Sequence, residues 1–200
     1  MKTNKPLNKR QEQILLSLAK LDFLNREQLQ KLHRLGKVRN ANKVLAELYP
    51  YLCKYREEYS TIYYLNRLGR DVVNCDKVRK KGNKVNHVLA RNDFYLFAGC
   101  PSNWENEMII GDSVGYCVCD SLFSSKGKHY ALEVDLQQSL SENKLKAQKY
   151  QGLFERKVFE KQYGYFPTVI WLTHSELRRR QLKEISKGFP SLVYTLSDIK

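Results

Sequence analysis

Eight residues constrain this chain more than any others: Tyr130-Ala131-Leu132-Glu133-Val134-Asp135-Leu136-Gln137. The run reads as a strand, and side chains on a strand alternate between faces. Tyr130, Leu132, Val134 and Leu136 share one face, and Ala131, Glu133, Asp135 and Gln137 share the other. Two carboxylates and an amide in one row of an otherwise apolar strand cost solvation energy unless something pairs with them. A divalent cation, a basic partner and plain solvent on a half-exposed polar face each satisfy the row.

Charge narrows the setting. The 200 residues carry a formal net charge of +14, and residues 1–100 hold 21 Lys and Arg against 9 Asp and Glu, so nearly all of the excess lies in the first half. A basic half joined to a near-neutral half points to a polyanion met by the first and a separate role for the second. Nucleic acid fits better than an anionic membrane, because no long amphipathic helix with a Lys/Arg face stands out. No apolar run reaches a spanning length, so no membrane association is expected. Met1-Lys2-Thr3-Asn4-Lys5-Pro6 leads into a charged segment, which is no secretory leader. The five cysteines are odd in number and contain no Cys-x-x-Cys, so neither a disulfide framework nor a zinc ribbon is expected, and the reading is a reduced, cytoplasmic protein. The four histidines are scattered and form no metal triad by spacing.

In the first half, helical spacing runs over residues 7–20, with Asn8 and Gln11 as a capping box. Asn25 and Gln28 make a second box, and Leu24 with Leu29 forms a hydrophobic staple at the start of a short helix, Arg26 to His33. Gly36 precedes a third helix, residues 38–48. A short second helix and a tight turn before the third resemble a helix-turn-helix. The third helix opens with Lys37, Arg39, Asn40, Asn42 and Lys43, residues suited to phosphates and base edges, with a solvated helix face as the plain alternative. Residues 51–56 and 59–65 read as a hairpin around Glu57-Glu58, and a hairpin after a recognition helix is the wing of a winged helix, with Lys54 and Arg56 on it. The basic run Asp76 to Lys84 reads as a linker, either solvated or adding phosphate contacts. The expected domains are 1–80, a winged-helix DNA-binding domain, and 81–200.

In the second half the order is helix (87–97), strands (104–110, 114–120, 130–137), a long helix capped by Ser139 and Glu142 and running to about 162, a strand (168–172), a helix with a Thr173/Glu176 capping box, and a last strand (191–196). Cys117 and Cys119 read as buried thiols in a strand. Asp120 closes the strand before the acidic row. This layout resembles the PD-(D/E)XK nuclease-like fold, in which an acid at one strand end and an acid-x-Lys on the next hold a divalent metal beside a phosphodiester. The resemblance implies Asp120 and Glu133 as the two acids, with Asp135 standing where the lysine belongs and no proline before Asp120.

The chain as a whole resembles the replication-relaxation family of Gram-positive plasmids and mobile elements. The likeness rests on the winged-helix N-terminus, Asp120, the Leu132-Glu133-Val134-Asp135 run, and the following helix with Lys144, Lys146, Lys149 and Tyr150. Where the family continues with Arg-Gly-Thr-like residues, this chain has Leu136-Gln137-Gln138-Ser139. The fold class expected is therefore α+β, a winged helix-turn-helix followed by a nuclease-like α/β domain with a mixed central sheet.

Membership implies a role on the DNA of a plasmid or integrated mobile element, in replication, relaxation or mobilisation. The reading is a double-stranded DNA-binding protein whose partner is a relaxase or replication protein, or a second copy of the chain, and whose second domain, lacking the lysine, is inactive and used for docking or dimerisation. The alternatives are a DNA-nicking nuclease, with Asp120, Glu133 and Asp135 as catalytic and metal residues and Mg²⁺ as the one cofactor implied, and a winged-helix repressor. Nothing resembles the tyrosine site of a strand-transfer relaxase.

Overall fold

The computed structural model describes residues 6–57 and 59–200, the side chains at 161 and 162 excepted. The first five residues and Glu58 of the expected hairpin turn lie outside the described residues. Two compact units divide between Asn92 and Asp93.

The first unit begins with α1 (Lys9–Leu21) and the two-residue strand β1 (Leu24–Asn25). Then come α2 (Arg26–His33) and α3 (Val38–Glu47). Both capping boxes form as the sequence predicts: each Asn side chain accepts the N–H three residues on, and each Gln side chain answers to the Asn N–H. The buried stripes of α1 (Ile14, Leu15, Leu18, Leu21), α2 (Leu29) and α3 (Ala41, Leu45) build one core. A single 3-10 turn, Tyr49–Tyr51, leads into β2 (Leu52–Glu57), which pairs antiparallel with β3 (Ser60–Leu65). β1 pairs with the other edge of β3, a strand too short to register in the sequence. The short helix α4 is Arg67–Val72.

The unit extends past the boundary expected near residue 80, and the reason is the end of α1. Asp22 leaves that helix with φ 71° and is 3% exposed. Its carboxylate accepts from Arg79 Nε at 2.8 Å and from Arg91 Nη2 at 2.9 Å. The Asn92 side chain donates to the carbonyls of Leu21 at 2.9 Å and Phe23 at 2.7 Å. Carbonyls at a helix end need such donors once buried. The basic run and the first part of α5 (Val85–Phe97) are thereby tied to the first unit.

The second unit is built on a five-stranded mixed sheet, β4 (Glu105–Gly111), β5 (Tyr116–Ser125), β6 (Lys128–Asp135), β7 (Thr168–Thr173) and β8 (Ser191–Thr195), in that spatial order. The β4–β5 and β5–β6 pairs are antiparallel, and the β6–β7 and β7–β8 pairs are parallel. The parallel links require crossovers, supplied by α6 (Leu140–Glu155) with the short α7 (Glu160–Tyr163), and by α8 (Glu176–Ile185). Ala147, Tyr150 and Leu153 of α6 and Leu182 of α8 pack on Ala131, Val169, Trp171 and Val193. Phe94, Trp104, Phe123, Tyr130 and Tyr194 form an aromatic layer around the sheet.

Three local expectations are corrected. β5 does not stop at Asp120 but runs on to Ser125, because the turn is only two residues, Lys126 (φ 49°) and Gly127 (φ 76°), both in the left-handed region that a tight hairpin needs. The helix after the acidic row ends at Glu155, where Lys157 takes φ 56° and breaks the path to residue 162. The N-cap of α8 is Ser175, whose side chain accepts from Arg178 N, while Thr173 is engaged inside the sheet.

A buried carboxylate facing a buried guanidinium sets a stability test. Asp22→Asn leaves Arg91, itself 2% exposed, without its counter-charge. The expected loss is about 3 kcal/mol, read as a lowered urea midpoint with unchanged slope.

Candidate nucleic-acid interface and acidic centre

The first unit carries the cationic face. The turn between α2 and α3 is fixed by Arg34 in the left-handed conformation (φ 51°), by Gly36 (φ 68°) and by the burial of Leu35. Asn40 donates from its side chain to Leu35 O at 2.8 Å, so this amide closes the turn. Lys37, Arg39, Asn42 and Lys43 lie exposed with Asn40 along the start of α3, whose first turn holds no acidic residue. On β2, Lys54 and Arg56 are exposed, and Lys54 Nζ lies 3.5 Å over the Tyr49 ring. Tyr59, at the hairpin tip, is 93% exposed. The basic run is partly committed, with Arg79 on Asp22 and Lys81 Nζ 4.8 Å from the Tyr55 ring.

The second unit carries the acids. Glu133 and Asp135 sit on the central strand β6, both 1% exposed, beside Trp171 and Thr173 of β7. The half-exposed polar face is therefore not what forms. Instead the row meets partners from two helices. Asn143, Lys146 and Tyr150 share one face of α6 by helical spacing. Tyr150 Oη donates to Glu133 Oε1 at 2.5 Å and Lys146 Nζ pairs with Glu133 Oε2. Asn143 Nδ2 donates to Asp135 Oδ1 at 2.8 Å. From α8, Arg178 Nε donates to Asp135 Oδ2 at 2.6 Å and Nη2 to Oδ1 at 3.2 Å, a bidentate grip. Thr173 Oγ1 donates to Asp135 Oδ2 at 3.3 Å.

Asp120 lies mid-strand where the β5 ladder fails. The register with β6 ends at Ser121 opposite Leu132, and Asp120 Oδ2 accepts the next free donor, Val134 N–H, at 2.7 Å. On β4 the residue at the same level, Glu107, takes φ 56°. The distortion changes which side chains face α6: Cys117, Cys119 and Leu122 all pack with that cluster although strict alternation forbids it. Asp120 and Glu133 thus come together near Lys146, whereas Asp135 is drawn off to Arg178.

Burial pushes the Glu133 carboxyl up to about 8; the Lys146 ammonium opposes the shift and the Asp120 charge adds to it. Burial pulls Lys146 down, but Glu133 and Asp120 outweigh it and leave the ammonium raised. Burial raises both cysteine thiols, Cys117 to about 11, so neither is a ready nucleophile. Among the described residues, no group of three or more His, Cys, Asp or Glu is placed to hold a metal ion. The sequence reading named Lys146 only among the lysines of the following helix, without pairing it to Glu133, and did not match Arg178 to Asp135. Lys146 had a readable signal, since Asn143, Lys146 and Tyr150 recur on one helical face; Arg178 had none, being one of three consecutive arginines far along the chain.

A family model described as replication-relaxation matches residues 15–169. No curated protein matches the chain. Among solved structures, that of the restriction endonuclease FokI is similar at 12% identity and a TM-score of 0.35, over 94% of this chain and 43% of that one. The chain thus spans less than half the length of that enzyme, and a likeness this slight decides nothing about function. No helix among the described residues is long and apolar enough to cross a membrane.

The Glu133 shift has a sign that experiment can read. A carboxyl raised above its ordinary 4.5 stabilises the fold fully below that value, and the contribution is lost as pH rises through about 8. Thermal unfolding between pH 5 and pH 9, roughly the span of the two values, should show the parent losing more stability than Glu133→Gln. Parallel curves for the two proteins would show that Glu133 titrates normally.

Proposed function

The chain belongs to the replication-relaxation family, and from that premise we propose that it is a double-stranded DNA-binding protein of a plasmid or integrated mobile element, acting in replication, relaxation or mobilisation. The first unit is read as a winged helix, with α3 in the major groove and the β2–β3 hairpin as its wing. The observation that carries this reading is the start of α3, where Lys37, Arg39, Asn40, Asn42 and Lys43 are exposed together with no acid among them. Arg39 and Asn42 are the side chains free to reach base edges, Lys37 and Lys43 those for phosphates, and Lys54 and Arg56 extend the positive surface along the wing. Asn40 serves as a positioning residue, holding the turn that aims the helix.

The second unit is read as a nuclease-like domain whose acids have become structural. Both oxygens of Glu133 and both of Asp135 have partners, and one Asp120 oxygen holds Val134 N–H. As arranged, this donor set does not fit Mg²⁺, which needs oxygens open for octahedral coordination. The domain then serves docking to a relaxase or replication protein, or to a second copy of the chain.

One observation favours a metal-dependent nuclease instead. The cation missing after Glu133 in the sequence is supplied from α6 by Lys146, beside Glu133 and Asp120. Supercoiled plasmid with Mg²⁺ or Mn²⁺ separates the two readings. It should stay closed-circular; nicking by the parent that disappears in Glu133→Ala and in Lys146→Ala would establish the nuclease.

Binding itself has a quantitative signature. Affinity for duplex DNA should fall roughly 10³-fold between about 50 and 200 mM salt, and removing Lys37 and Lys43 together should lower the logarithmic slope by about 0.9 for each phosphate no longer neutralised. A salt-independent affinity would overturn the DNA reading.

A further inference from the structure

Past α4 the chain runs without helix or strand over residues 75–82. Five cations, Lys77, Arg79, Lys80, Lys81 and Lys84, fall within residues 77–84, and no acid occurs between Asp76 and Asp93. A free linker of this charge would spread out, because its cations repel one another. This one is held in place. Arg79 Nε donates to Asp22 Oδ1 at 2.8 Å. Lys81 Nζ lies 4.8 Å from the centre of the Tyr55 ring on β2. Val85 is 2% exposed and packs with Phe23 and Ile62. Asn86 Nδ2 donates at 3.4 Å to Oε1 of Glu57, the last residue of β2. The segment is therefore a strap that runs from the end of α1, past Tyr55, towards the tip of the hairpin.

β2 is an edge strand of the three-stranded sheet. Alternation puts Lys54 and Arg56 on one face of β2 and Tyr55 on the other. Lys81 sits on Tyr55, so cations lie on both sides of this strand. Lys77, Lys80, Lys81 and Lys84 are all exposed, while Arg79 is the cation that anchors. Holding four ammoniums in one short segment costs free energy through self-repulsion, and the anchors preserve a repulsion that a loose tether would relieve. A polyanion reverses its sign. Each groove of duplex DNA is walled by two phosphate backbones, and a hairpin with cations on both faces matches two walls where a one-sided patch matches one.

We propose that residues 77–84 form a second phosphate track, on the opposite side of β2 from Lys54 and Arg56, so that the hairpin meets both backbones of one groove. The proposal rests on the DNA reading above and deepens it. Lys77, Lys80 and Lys84 bind phosphate, Lys81 supports them from its place on Tyr55, and Arg79 is a positioning residue that holds the strap to Asp22. Phosphate contacts fix orientation and carry no sequence information, so the strap adds affinity and register and no base preference.

The test measures binding of the full chain to a fluorescein-labelled duplex of mixed sequence across a salt series. Lys77→Gln/Lys80→Gln/Lys84→Gln should lower the slope of log affinity against log salt by about 2.7, at about 0.9 for each phosphate given up. A control of equal charge change on exposed lysines of the second unit, Lys126→Gln/Lys183→Gln/Lys187→Gln, should leave the slope unchanged. Arg79→Gln removes a cation already matched to Asp22, so it should weaken binding about threefold at unchanged slope, through the cost of ordering a loosened strap. With its repulsion relieved, the strap triple should unfold at the parent's urea midpoint or above it, which separates lost contacts from a lost fold. A slope that the strap triple leaves unchanged, while Lys37→Gln/Lys43→Gln lowers it, overturns the strap and leaves the duplex reading standing. Equal losses from the strap and control triples overturn it too, in favour of net charge alone. A lowered slope for Arg79→Gln would put that guanidinium on a phosphate and overturn the anchored strap. A parent that retains no duplex at any salt sinks the DNA reading and the strap together.

Discussion

Two carboxylates buried in the central strand of a sheet dictate how the second unit is put together. Neither Glu133 nor Asp135 can give up water without a replacement, and each takes it from a different helix. Lys146 and Tyr150 fasten α6 to Glu133; Arg178 fastens α8 to Asp135, with Asn143 and Thr173 completing the shell. Removing one partner from such a set costs several kcal/mol, because the other charge stays buried. The apolar packing of Ala147, Leu153, Leu182 and Trp171 drives the helices onto the sheet, and the ion pairs decide the register at which they stop. The price of a polar strand is thus converted into specificity of docking.

Much of this was legible in the sequence, and the boundary between what was and what was not is physical. Capping boxes at Asn8, Asn25 and Ser139 are local, spelled out within four residues, and all three formed. The mixed α+β order and the acidic strand were likewise visible. What escaped were interactions across distance. Thr173 had the spacing of a cap, yet Asp135 on the neighbouring strand claimed it, and Ser175 took the capping role. The length of β5 escaped because Ser124 and Ser125 resemble turn residues, and only the paired strand shows that Lys126 and Gly127 suffice. Arg178 could not be matched to Asp135 by any periodicity. The distortion at Asp120 needed Glu107 on an adjacent strand to take a left-handed conformation, which no local pattern announces.

The first unit shows the same division. Its core stripes and turn were readable, down to the residues lining the start of α3. The tie between Asp22 and the segment carrying Arg79 and Arg91 was not, since it joins residues far apart in the chain. That tie changes what a basic linker is. A solvated tether would hold its cations loosely, whereas this one is stitched to the end of a helix and keeps Lys81 against an aromatic ring.

The sheet of the second unit also has a history written in its connections. β4, β5 and β6 follow one another with tight turns, so this half can zip up from neighbours in the chain. β7 and β8 join in parallel, each only after a helix has been carried across, and such non-local pairings form slowly. Glu133 and Asp135 lie on the seam between the two halves. Only the parallel half, with α6 and α8, closes over them, so the two crossover helices bring to the sheet the charges that replace water as well as the apolar faces that exclude it.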